Sequence, residues 1–232
     1  MQQKTANEIL TELRSLSDPR GLEGMARFGD RPRQALGGIS TPVLKKVARS
    51  ADRNHALAQE LWASGIHEAR LIAAMTDDPA MVTEDQAESW VGEFDSWTVC
   101  DCCCAYLFWM APFAYRKAHE WSEREEEFVK RAGFALMAEL AIHDKKAPDE
   151  PFLDFLPAIK AGSGDPRNFV KKAVNWALRQ IGKRNANLNR AAIEAARDIH
   201  ALGWSSAKWI ASDALRELSG EAVQARLQVR HG

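Results

Sequence analysis

Apolar residues in this chain recur every three or four positions from the first turn of the sequence to the last, and this spacing decides what it can fold into. No segment alternates apolar and polar residues, and no β-branched run sits between turn signals, so no strand is predicted. The punctuation consists of helix starts: Ser40 and Thr41 before Pro42, Thr83 three residues before Gln86, and Asp165 before Pro166. The pattern predicts helices at 5–16, 20–28, 42–52, 54–64, 67–76, 84–94, 97–110, 114–122, 125–143, 150–161, 166–184, 187–202, 205–218 and 220–228.

The starts near Thr83, Glu123 and Asp165 lie about 40 residues apart, the period of HEAT-type helix pairs. The expected fold is all-α, a HEAT-like α-α superhelical solenoid spanning residues 1–232 as a single domain, with a concave face for binding. The hydrophobic fraction of 46% and the charged fraction of 27% suit a globular chain. No apolar run reaches the roughly 20 residues of a membrane span, and MQQKTANEIL has no signal-peptide core, so a cytoplasmic location is expected, with no membrane partner.

The net charge of −1 conceals an asymmetry. Leu71 to Tyr115 holds eight acids and no Lys or Arg, whereas Lys160 to Arg190 holds eight bases and one acid, Asp165. A second basic stretch, Arg27 to Arg53, has seven bases against Asp30 and Asp52. Either basic stretch would suit a polyanion although the whole chain is near neutral.

Several chemically loaded residues fall on the wrong side of their helices for core packing. In the helix after Asp165 the apolar stripe is Val170, Val174, Ala177, Leu178 and Ile181, while Lys172, Trp176, Arg179 and Lys183 form a stripe of their own. In the helix from Trp97 the stripe is Val99, Cys103, Leu107 and Met110, and Trp97 and Asp101 share the opposite side. Arg131 is likewise two residues past the core position Val129. The plain alternatives are a solvated basic face, a surface acid, or an ion pair between helices.

Cys100, Cys102, Cys103 and Cys104 point in different directions around one helix, which suits packing better than a tetrahedral metal site, and no metal is expected. Phosphate-binding glycine loops are absent, so no nucleotide cofactor is expected.

The chain resembles the AlkD-like family of DNA alkylation repair glycosylases, which are built from HEAT-like repeats. The resemblance rests on Met25-Ala26-Arg27-Phe28 with Gly38-Ile39-Ser40-Thr41-Pro42, on Leu61-Trp62 with Glu68 and Arg70, and on Phe94 to Asp101. It continues in Lys130-Arg131-Ala132 and in Asn168 to Arg179. Each motif is weak alone; their order and spacing are specific. By this resemblance Asp101 is the catalytic carboxylate, Trp97 and Trp176 cradle the lesion's deoxyribose and backbone, and Arg131 helps to hold the DNA. Arg27, Phe28, Lys172, Arg179 and Lys183 join it in binding. Phe28 stands where the family has Tyr.

The implied activity is that of a monomeric, cofactor-free glycosylase hydrolysing the N-glycosidic bond of cationic N3- or N7-alkylated purines in double-stranded DNA. The residues also leave open a non-catalytic relative that recognises distorted or branched DNA, and a protein-interaction scaffold.

Overall fold

The computed structural model describes residues 4–229, and among these it contains fourteen α-helices and one short 3-10 turn, with no strand. The chain divides into two compact units, Met1–Ala111 and Pro112–Gly232. No helix among the described residues is long and apolar enough to cross a membrane.

The first unit contains α1 (Ala6–Leu16), α2 (Arg20–Arg27), α3 (Thr41–Ala51), α4 (His55–Ala63), α5 (His67–Thr76), α6 (Glu84–Gly92) and α7 (Trp97–Tyr106). Several of its starts are fixed by side chains that occupy otherwise unpaired N–H groups. Thr5 and Glu8 form a reciprocal capping box, Asn54 accepts from Leu57 N at 3.0 Å, and Thr83 accepts from Gln86 N at 3.1 Å. The expected start at Ser40 holds, although the Ser40 side chain makes no capping bond. Ile9, Leu13, Leu61 and Ile72 are fully enclosed. Trp62 and Trp90 stack at 3.9 Å and 2° between planes, and the Arg70 guanidinium covers the other side of Trp62 at 4.8 Å.

The helix predicted over 97–110 is shorter than its periodicity suggests. It ends at Tyr106, and Phe108–Met110 form a 3-10 turn that buries Leu107 and Phe108 completely. Met110, expected in the core stripe, is left only half-buried.

The second unit contains α8 (Ala114–Ser122), α9 (Glu127–His143), α10 (Glu150–Gly162), α11 (Asn168–Gly182), α12 (Ala186–Ala201), α13 (Ser205–Leu218) and α14 (Glu221–Val229). Here the repeat is explicit. Helices α9, α11 and α13 pack side by side, as do α8, α10 and α12. The bonds between successive repeats join residues almost one period apart: Arg131 to Phe169, Asn175 to Asp213, Arg179 to Glu217, and Lys160 to Asp198 are each separated by 38 positions. The close approach of α8 to α9 needs Gly133, where a Cβ would lie 2.3 Å from the backbone nitrogen of Ser122.

Candidate functional site

In the first unit, α7 carries the two groups singled out by its sequence. Val99, Cys100, Cys102, Cys103 and Cys104 are buried, while Trp97 and Asp101 remain half-exposed on another side of the helix. The four cysteines form no disulfide; burial, reinforced by Asp101 for Cys102 and by Cys100 and then Asp101 for Cys104, pushes Cys102, Cys103 and Cys104 above the usual thiol range. All four are buried packing groups. Among the described residues no cluster of three or more His, Cys, Asp or Glu is placed to hold a metal ion.

The start of α7 is held by a network that spacing along the sequence does not reveal. Ser96 caps the helix, accepting from Thr98 N at 3.1 Å and Val99 N at 3.4 Å, and its hydroxyl donates to Asp30 at 2.6 Å. Thr98 donates its own hydroxyl to the other oxygen of the same carboxylate. Asp30 is therefore a buried acid satisfied by the two residues flanking Trp97. Its position follows from how α2 ends. Gly29, at φ +77°, lets its N–H bond Ala26 O and the Asp30 N–H bond Met25 O, the paired closure typical of glycine-terminated helices. That turn sends Asp30 inward and leaves Phe28 outside, 76% exposed.

Two further acids hold the segment that follows. Glu68, 2% exposed, accepts from Leu36 N at 2.9 Å and Gly37 N at 2.7 Å, and Asp95 accepts from Arg33 N at 2.8 Å. His67 adds a backbone bond to Gln34 O at 2.8 Å, while its buried Nδ1 bonds to no protein group. Burial pushes the His67 imidazole below the usual histidine range; Glu68, Asp30 and Asp95 oppose that shift, and Arg70 adds to it. Arg27 and Phe28, expected to meet DNA, thus stand exposed on a turn fixed to the helix that carries Trp97 and Asp101.

In the second unit, Trp176 is half-exposed on α11, between the side meeting α9 at Phe169 and the side meeting α13 at Asn175, and Lys172 is fully exposed one turn before it. The other members of that stripe are engaged. Arg179 bonds Glu217 and lies 3.6 Å from Asp213, and Lys183 bonds Glu217 at 2.6 Å. Burial would raise the Glu217 carboxyl, but Lys183 and Arg179 hold it below the usual range. Arg179 and Lys183 are therefore inter-repeat ties in this structure as well as members of a basic face.

Arg131 departs further from expectation: it is 6% exposed and donates to Phe169 O at 2.6 Å. Residue spacing gives α9 a solvent side that the folded helix lacks. Every residue from Arg131 to Leu140 is buried, because α9 packs against both α8 and α11.

Glu68, Asp95 and Ser96 lie within the motifs that carry the resemblance, yet neither they nor Asp30 received a role from the sequence. Asp95-Ser96 ahead of Trp97 carries a helix-start signature that would have flagged Ser96. Glu68 and Asp95 accept from backbone N–H groups, and Asp30 from two hydroxyls, about 30 to 70 residues away, for which no local signal exists.

A family model described as DNA alkylation repair enzyme matches residues 9–218. One solved structure, described as "a new family of proteins related to the HEAT-like repeat DNA glycosylases with affinity for branched DNA structures", is similar at 21% sequence identity and a TM-score of 0.73. The match covers 84% of this chain and 83% of that one. No curated protein matches.

Proposed function

The chain belongs to the DNA alkylation repair enzyme family, and from that premise we propose that it is a monofunctional glycosylase that releases cationic N3- or N7-alkylated purines from double-stranded DNA. The observation that carries this reading is the pair on α7, a half-exposed indole and a half-exposed carboxylate one turn apart, on a helix whose start is locked to Asp30.

Cleavage of an N-glycosidic bond develops an oxocarbenium-like cation on the sugar. A purine alkylated at N3 or N7 already bears positive charge and departs as a neutral base, so the general acid of a sugar hydrolase is dispensable. One carboxylate that faces the developing cation and orients the attacking water suffices. That role falls to Asp101, with about 3 kcal/mol as the scale of such electrostatic stabilisation. The Trp97 indole adjoining it contributes about 0.5 to 2 kcal/mol through its electron-rich face.

In the first unit Arg27 and the exposed Phe28 would meet DNA; in the second, Trp176 and Lys172 would meet its backbone. Arg131 supports that contact indirectly, by fixing α11 through Phe169 O. Arg179 and Lys183 would contribute charge only by sharing Glu217 with the phosphates.

The test is base release from methylated duplex DNA. Asp101→Asn is expected to lower release at least a hundredfold while DNA affinity stays within about threefold of the parent. Undiminished release would remove Asp101 from the chemistry.

A second reading, DNA binding without catalysis, is favoured by the affinity for branched DNA described for the similar solved structure and by Phe28 standing where the glycosylases carry Tyr. A parent protein that binds branched duplexes and frees no base would establish it.

A further inference from the structure

The first unit holds a cavity of about 390 Å³ whose residues the reaction above does not use. We propose that it binds a phosphomonoester dianion, the terminal phosphate of a DNA strand or of a free nucleotide. The volume falls within the roughly 300–1,000 Å³ of small-molecule sites. Lys45 and Arg49 line it one turn apart on α3, Arg53 follows just beyond the helix end, and Tyr106 from α7 and Met75 from α5 complete it.

Its charge is uncommitted. Among the described residues no carboxylate lies within 4.0 Å of a charged nitrogen of Lys45, Arg49 or Arg53, and the Tyr106 hydroxyl bonds to no protein group. The Lys45 ammonium lies over the Tyr106 ring, 5.4 Å from its centre, and both residues line the cavity. Asp52 also lines the cavity and brings the lining charge to +2, which matches a phosphomonoester at neutral pH and exceeds the single charge of an internal phosphodiester.

The backbone gives an independent sign. Asp52 closes α3 at φ +57° and ψ 177°, the one non-glycine positive φ among the described residues. Such conformations cluster at functional sites. Here the turn is what brings Arg53 to the side of Arg49. Met75 and the ring of Tyr106 supply apolar surface for the sugar or base next to the phosphate.

The experiment compares a duplex bearing a 5′-phosphate with the same duplex bearing a 5′-hydroxyl, and dAMP with deoxyadenosine, by anisotropy and calorimetry, with inorganic phosphate as competitor. We expect about a tenfold preference for the phosphorylated member of at least one pair. Preference in the duplex pair identifies strand ends as the source; preference confined to dAMP identifies the free nucleotide. Preference should grow between pH 5.5 and 7.5 as the phosphate loses its second proton, whose pKa is about 6. Arg49→Gln combined with Arg53→Gln should abolish the preference, and Tyr106→Phe should reduce it about threefold. All three side chains are at least partly exposed, and unchanged helical circular dichroism verifies folding. Equal binding within both pairs, or a preference that survives the double substitution, overturns the proposal. Base release from alkylated DNA is measured on the same preparations, so loss of phosphate selectivity is distinguishable from loss of the glycosylase.

Discussion

Two stretches of this chain look alike on a charge count and behave differently once folded. From Arg27 to Arg53 the cations Arg27, Arg31, Lys46, Arg49 and Arg53 are exposed, and among the described residues none of them has a carboxylate within 4.0 Å, whereas Arg33 reaches Asp95 at that distance. From Lys160 to Arg190 most of the charge is engaged. Lys160 meets Asp198, Arg167 meets Asp165, and Arg179 and Lys183 share Glu217. Arg184 donates to Ala141 O and Ala147 O and lies over Phe152 at 3.8 Å. Around the first stretch Glu68 and Asp95 hold the backbone, and most of the cations stay exposed. In the second, acids hold the cations and join one repeat to the next. Density of basic residues therefore says little about where a polyanion binds; what counts is which groups the nearest acids have taken.

The largest expected effect breaks the arrangement that frees the first stretch. Glu68→Ala would leave the N–H groups of Leu36 and Gly37 without their carboxylate, at a cost on the order of 3 kcal/mol. Denaturant unfolding should record that loss. Amide exchange should accelerate first between residues 28 and 40, and DNA affinity should fall with it. If exchange instead accelerates evenly over the first unit, the acid is a general stabiliser and not an anchor for this segment.

Next comes the difference between the two basic stretches, tested by salt. Replacing Arg27, Arg31 and Lys46 by Gln should lower DNA affinity and reduce the slope of log affinity against log salt by about 2 to 3, near 0.9 for each phosphate that is no longer neutralised. Stability should stay within about 0.5 kcal/mol, because these side chains are exposed and make no ion pair. Replacing Arg179 and Lys183 by Met should do the reverse, removing about 1 kcal/mol of stability and leaving the slope nearly unchanged. The sign of its pH dependence follows from Glu217. That carboxyl is held below its usual range, so it stabilises the fold above about pH 4.5 and the contribution is lost as pH falls through the lowered value. The double variant should lose that part of the acid limb. A large change in salt slope in the second variant would show that DNA displaces Glu217 and would erase the distinction.

How much of this could be read in advance differs between the units. The helix periodicity placed every helix, and the repeat was visible in starts about 40 residues apart near Glu123 and Asp165; the ties it makes, Asn175 to Asp213 and Arg179 to Glu217, emerge only from the structure. The half-exposed placement of Trp97 and Asp101 was legible because Val99 and the cysteines take the buried sides of α7. Arg131 was not, because the small residues Ala132, Gly133, Ala135 and Ala138 allow neighbouring helices onto all sides of α9, and a periodicity argument needs one side to stay in water. The segment 28–40 was least legible. Its conformation is set by Asp30, Glu68 and Asp95 acting across long separations, where neither spacing nor composition carries information.

The smallest effect concerns the histidine behind that anchored segment. His67 is buried with its Nδ1 unbonded, and burial depresses its basicity against the pull of Glu68, Asp30 and Asp95 and with the help of Arg70. The unfolded chain takes up a proton near pH 6.5 and the folded one resists it, so stability is whole above that pH and declines as pH falls through it. The decline should stay below about 0.8 kcal/mol at pH 6, since three nearby carboxylates offset part of the desolvation. His143 in the second unit is also depressed, by burial and then by Lys145, yet its side chain is 40% exposed and it contacts Glu139 at 3.0 Å. Its replacement should change the pH profile less. Unfolding free energies of His67→Gln and His143→Gln between pH 5 and 7.5 test the contrast: a flattened slope in the first variant alone ties the acid sensitivity to the anchored segment, whereas equal flattening in both would make it a property of the whole chain.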